Sequence, residues 1–136
     1  MKLLLVLTLI LSASSLNAQL KITVANIKKD TGTILIALYN SKDKFPNTNE
    51  AYKEGRVKVK NKQAVFVVEG LASGEYAIAL FHDQNDNNKL DKSDLGLPKE
   101  PYGFSNDAKG MFGPPPYKKA KFNYNGKAID ILISIF

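Results

Sequence analysis

The chain has 136 residues, 19 Lys and Arg against 13 Asp and Glu, a net charge of +6 and no cysteine. That length suits one domain with a real core, and the absence of cysteine excludes both a disulfide framework and a lipid anchor on a cysteine. The lysines are scattered rather than bunched, which argues against a nucleic-acid-binding face.

Met1-Lys2 is followed by the nine-residue apolar block Leu3–Leu11 and the small-residue tail Ser12-Ala13-Ser14-Ser15-Leu16-Asn17-Ala18. One positive charge, an apolar block and a small-residue tail make a secretory signal peptide. A membrane anchor is the competing reading, but the block is half of the roughly 20 residues that spanning requires. The expected organisation is a signal peptide over 1–18, cleaved after Ala18 with Ser15 as the alternative site, and a single domain over 19–136, exported to the periplasm or beyond. No membrane span is expected once the signal is removed.

The exported part reads with period two, the strand signature. Leu20, Ile22 and Val24 alternate with Lys21 and Thr23, and Thr33 to Tyr39 is apolar on both faces, which predicts a central strand covered on both sides. Thr48 caps a predicted short helix ending at Gly55. A two-residue turn at Asn61-Lys62 sets Val59 opposite Ala64 and Val57 opposite Phe66. The lysines outside that pair suit a guarded edge strand. A turn at Ser73-Gly74 leads into a strand with Tyr76, Ile78, Leu80 and His82 on one side. Asn125-Gly126 sets Phe122 opposite Ile129, Ala120 opposite Ile131 and Lys121 opposite Asp130. These segments predict an all-β fold, an antiparallel seven-stranded Ig-like sandwich with almost no helix.

The most informative stretch follows the fifth strand. Counted from Asp83, side-chain oxygens recur at positions 1, 3, 5, 9 and 12, as Asp83, Asn85, Asn87, Asp91 and Asp94, with Lys89 at position 7 to lend its backbone carbonyl. A 12-residue loop wraps a calcium ion with that spacing, because calcium takes six to eight oxygens. Asn88 stands at position 6, where glycine is usual, and tolerates the left-handed backbone needed there. A strand enters the loop and Pro98 follows it closely, so the expectation is a calcium loop on a β-scaffold, not a helix–loop–helix sensor. The competing reading is an Asp/Asn-rich turn whose side chains satisfy its own backbone.

Leu95 to Tyr117 carries five prolines, four glycines and four aromatic residues, too aromatic for a disordered linker. It predicts one long ordered Gly/Pro/aromatic loop over an end of the sandwich. Tyr102, Phe104, Phe112 and Tyr117 form a candidate ligand-binding platform, against the plainer alternative that they pack beneath the loop. His82, the only histidine, is expected at a strand end bonded to a carbonyl. A hydrolase reading instead makes His82 and Glu100, with Asp83, a general acid–base set.

His82-Asp83, Asn85, Asn87, Lys89-Leu90-Asp91, Gly96, Pro98, Glu100, Tyr102-Gly103-Phe104-Ser105-Asn106 and Gly113-Pro114-Pro115 together resemble the exported bacterial domain-of-unknown-function family 2141. The resemblance runs from Leu20 to the last strand. It implies a small exported sandwich similar to transthyretin-like or prealbumin-like domains, and implies no activity. This chain departs where Asn88 replaces the family's usual glycine, and the position of Asp94 is commonly apolar in relatives, which leaves Asp83, Asn85, Asn87 and Asp91 as the core ligand set. The expectation is a calcium-binding, non-catalytic binding or structural module of the cell envelope, whose partner is an extracellular ligand such as a glycan. The hydrolase remains the alternative.

Overall fold

In the computed structural model, residues 18–136 are described; all but the last residue of the expected signal segment lies outside them. Eight strands form two sheets: β1 (Gln19–Ala25), β2 (Thr33–Tyr39), β3 (Lys53–Lys58), β4 (Ala64–Glu69), β5 (Gly74–Asp83), β6 (Tyr102–Phe104), β7 (Phe122–Tyr124) and β8 (Ile129–Ser134). The smaller sheet has the order β4-β1-β8, the larger β3-β2-β5-β6, with β7 also on β5. The main core lies between the sheets. Leu20, Ile22 and Val24 of β1 meet Ile34, Ile36 and Leu38 of β2 and Ile78 and Leu80 of β5, all buried.

The mostly β architecture agrees with the sequence expectation, but the strand count and the pairing differ. The eighth strand is β6, three residues inside the segment read as loop. The sheets are not purely antiparallel, because β1 and β8 run parallel with Ile22 beside Ile131. Neither expected hairpin forms: at Asn61-Lys62 only the turn is present, and at Asn125-Gly126 the chain merely bends, with positive φ at Gly126 and not at Asn125. Asn61 and Lys62 do form a tight turn, both with positive φ, closed by Lys60 and Gln63. Beyond it β3 pairs with β2, while β4 pairs with β1 and sets Ile22 beside Phe66. After Asn125-Gly126 the chain again changes sheet: β7 pairs with β5, and Lys121 reaches Glu75 at 3.3 Å instead of Asp130.

The reason is that alternation fixes which side chains point inward, not which strand lies alongside. Val57, Ala64 and Phe66 face the interior under either pairing. Phe66 then spans the gap between layers and sits on Gly55, where any Cβ would collide with its ring. The expected helix ending at Gly55 is a single 3₁₀ turn, Thr48–Glu50, and Gly55 belongs to β3.

A second cluster covers part of the outer face of the larger sheet. Tyr39, Phe45, Ala77, Phe104, Ala108 and Tyr117 pack there, with Phe45 edge-on to Tyr39, Phe104 and Tyr117 at 5.3–6.1 Å. The both-faces apolar pattern of β2 reflects this cover, which stops short of the strand's other end.

Candidate functional site

The Asp/Asn loop begins where β5 ends. Asp83 is fully buried and accepts backbone N–H groups from Asn87 (3.2 Å) and Asn88 (2.8 Å). Asn85 Oδ1 accepts from Asn87 N at 3.3 Å, and Asn87 Oδ1 accepts from Lys89 N at 3.0 Å. These local bonds are what short Asp and Asn side chains make when a chain curls around them. They hold the first seven loop residues in a tight coil, with Asp86 at φ 54 and Asn88 at φ 64. Asn88 thus takes the left-handed conformation for which glycine is usual at that place.

Four of the six expected ligands come together. The amide nitrogens of Asn85 and Asn87 donate to the two oxygens of Asp91, at 2.8 and 2.7 Å. Those two bonds, Asn87's first, hold the Asp91 carboxyl below the usual carboxylate range. Lys89 joins the set through its backbone N–H. Asp94 does not join it. Residues 91–99 fold into a small hairpin, with Lys92 beside Pro98 and Gly96 N bonded to Ser93 O at 2.9 Å, so exposed Asp94 lies in the tip of its turn.

Glu100 takes a place that the spacing did not assign. It is 6% exposed, and its carboxylate accepts Gln84 N at 2.6 Å and Asp91 N at 3.1 Å. One side chain therefore ties the start of the loop to its ninth residue. The edge of the larger sheet holds the loop from the other side: Thr33 Oγ1 donates to Asp86 at 2.7 Å, Lys58 sits 3.4 Å from it, and Arg56 donates to Asn88 Oδ1. The Thr33 bond, then Lys58, hold the Asp86 carboxyl below its ordinary range. Gly32 makes the close approach possible. Its φ is +76, and a Cβ there would lie 2.2 Å from Asp83 O.

His82 faces the core. It is fully buried, with Nε2 bonded to Thr31 O at 2.6 Å and Nδ1 without a partner. Among the described residues no hydrogen bond joins it to Glu100, whose oxygens are both engaged by backbone amides.

A family of uncharacterized proteins conserved in bacteria (DUF2141) matches residues 22–131. The chain belongs to that family. No curated protein and no solved structure matches it. The match to DUF2141 spans the whole loop, the clasp at Glu100 and the strand that follows.

The other feature of this DUF2141 chain is a groove of about 720 Å³ on the uncovered part of the larger sheet's outer face. Register builds it. One row across the sheet is Arg56, Leu35, Phe81 and Tyr102; the next is Glu54, Ala37, Ala79 and Phe104. Two adjacent alanines between bulkier neighbours leave a trough, and Asn88, Lys89 and Leu90 of the Asp/Asn loop wall one end of it. Of the four expected platform residues, Tyr102 and Phe104 line this groove, with Phe104 only 7% exposed. Tyr117 is buried in the second cluster, and Phe112 stands fully exposed and does not line the groove. The residues the sequence reading missed are Leu35, Ala37, Ala79 and Phe81. Their signal lies in the apolar second faces of two strands: that of β2 predicts a strand covered on both sides, and that of β5 carries no expectation of its own.

The residue types of the set are those from which hard cations take oxygen. Asp83 and Asp91 carry carboxylates and Asn85 and Asn87 carry amide oxygens, but the oxygens of Asp83 and both amide oxygens accept backbone N–H groups, and Lys89 enters the set by its own N–H. Among the described residues no three His, Cys, Asp or Glu side chains gather closely enough to hold a metal. The charge of the set is therefore low, two carboxylates at most. The amide N–H groups of Asn85 and Asn87 now occupy the side of Asp91 that a cation would take.

Proposed function

We propose that this chain is an exported, non-catalytic binding module of the bacterial cell envelope, a transthyretin-like sandwich whose binding surface is the groove on the outer face of the larger sheet. The 95–117 segment is its ordered flank. The Asp/Asn loop takes calcium, with a structural role, through Asp83, Asn85, Asn87, Asp91 and the Lys89 carbonyl. Asn85 and Asn87 turn their amides so that oxygen replaces nitrogen toward Asp91. Bound calcium supplies a fixed charge that neutralises the carboxylates; the chain's own residues shape the wall. With two carboxylates the affinity falls on the order of 10⁻⁴–10⁻³ M, the range of extracellular modules.

The observation that carries this reading is the shared wall: Asn88, Lys89 and Leu90 belong to the loop and line the groove. The hydrolase alternative gains no support, because His82 and Asp83 are fully buried and Glu100 spends both oxygens on the backbone. The test is an amide NMR titration with calcium and then with a chelator. Shifts at millimolar calcium over Asp83–Asp91, continuing into Leu35 and Phe81, are expected. A spectrum indifferent to millimolar calcium removes the metal; shifts confined to the loop remove its link to the groove.

A further inference from the structure

We infer that the groove's ligand is an amphipathic anion: an acyl chain ending in a carboxylate or comparable acid, with its head at the loop end. The inference rests on the groove being the binding surface, and names its chemistry. The volume of about 720 Å³ lies in the usual range of small-molecule sites, about 300–1,000 Å³.

The lining is asymmetric along its length. At the loop end stand Arg56, Lys89 and Lys92, all exposed, against the single carboxylate of Glu54 one row farther along β3. Arg56 spends one donor on Asn88 Oδ1, which fixes its reach beside the groove and leaves the rest of its guanidinium fork for an acid. Beyond that end the floor is Ala37 and Ala79, bounded by Tyr39 and Phe104, with proline rather than charge on the rims at Pro46 and Pro114. Cationic mouth and apolar trough together match a molecule with one charged end and one oily end.

A glycan fits less well. Sugars stack on open ring faces, whereas Phe104 is nearly buried and Tyr102 lies edge-on to it at 5.9 Å and against Phe136 at 4.6 Å.

The experiment is titration calorimetry of the protein with decanoate, decanol and maltotriose. Decanoate is expected to bind at least about tenfold more tightly than decanol, the worth of one charge-assisted hydrogen bond. Arg56→Gln is expected to bring decanoate down to the decanol level. Lys92→Gln, whose side chain makes no hydrogen bond to the loop among the described residues, repeats the test without touching Asn88. Ala79→Phe fills the trough and is expected to abolish binding of both, with the fold checked by an unchanged melting temperature. If decanol binds as tightly as decanoate, or the two head variants change nothing, the anionic head is wrong while the groove stands. If maltotriose binds, the acyl probes do not, and Ala79→Phe blocks it, the ligand class is overturned and the groove again stands. If no probe binds, or Ala79→Phe leaves binding intact, the groove itself falls and this inference with it.

Discussion

Glu100 is the residue on which the loop's geometry turns, and its removal has a calculable cost. Its carboxylate is 6% exposed and accepts Gln84 N at 2.6 Å and Asp91 N at 3.1 Å. A hydrogen bond to an ionised group is worth roughly 1.5–3 kcal/mol, and a buried donor left without a partner costs comparably. Glu100→Ala orphans both amides and is expected to destabilise the fold by about 3–5 kcal/mol. Glu100→Gln keeps one carbonyl oxygen but turns an NH₂ toward the second amide, so it should fall between wild type and Ala, at about 1–3 kcal/mol. The assay is urea unfolding in chelator, so that no metal compensates, with the midpoint read at constant slope. In a thermal scan each kcal/mol moves the midpoint of a domain this size by about 4 °C, so Ala should lower it by roughly 12–20 °C. If Ala costs less than about 1 kcal/mol, or Gln costs as much as Ala, the clasp is not what organises the loop.

Three further outcomes follow from single positions. Gly32→Ala meets backbone, Asp83 O at 2.2 Å and Gln84 Cα at 2.8 Å, at a φ of +76; it should cost about 3 kcal/mol or more in urea unfolding and blunt any calcium response. Asn87→Asp takes an amide donor from Asp91 and sets a third carboxylate beside it, so it should lower stability in chelator yet raise calcium affinity by about tenfold. For wild type, calcium at ten times its dissociation constant is expected to add about 1.4 kcal/mol, checked by melts in chelator and in 10 mM calcium, where a variant that gains nothing would stand out. Tyr39 is pushed up to about 12 by burial and secondarily by Glu54. A raised folded value means its contribution is complete below the unfolded value near 10 and is lost as pH rises from about 10 to about 12. Tyr39→Phe should flatten alkaline unfolding across that window, and an unchanged alkaline limb would show that Tyr39 is not what titrates.

What the sequence disclosed, and what it concealed, divides by distance along the chain. Inward faces were legible because alternation is local: Tyr76, Ile78, Leu80 and His82 share one face of β5, and all four are buried. Partners were not, because Val57 and Phe66 point inward whether they face each other or opposite strands in different sheets. The same contrast runs through the loop. Asn85 and Asn87 bond two residues onward, and a spacing rule finds such contacts. Glu100 bonds 16 residues back, to Gln84, and no local pattern announces that. The count to twelve comes from a loop with a helical exit, and although Pro98 argues against that helix, only the structure shows the small hairpin that carries Asp94 to its tip. Strand β6 was hidden for a similar reason. Three residues between prolines and glycines carry no period, and pairing with β5 alone makes them a strand.

That pairing explains why loop and groove form one unit. β5 delivers the chain into the loop at Asp83, and β6 returns it to the same strand, with Tyr102 beside Phe81 and His82 N bonded to Pro101 O at 2.8 Å. Both ends of the excursion are pinned to one ladder, so a change inside it has little freedom to dissipate into the strands. It must appear in the free wall, where Leu90 and Lys89 meet the groove and Asn88 holds Arg56. If the loop takes calcium and the groove an acid, the two are expected to be coupled through this wall, and linkage makes the coupling symmetric: whatever factor calcium adds to decanoate affinity, decanoate adds to calcium affinity. Calorimetry run in both orders checks this with no further assumption. Equal factors above one, both erased by Asn88→Ala, place the coupling in the Asn88–Arg56 contact; factors of one in both directions mean that the wall keeps a single shape whether or not the loop is filled.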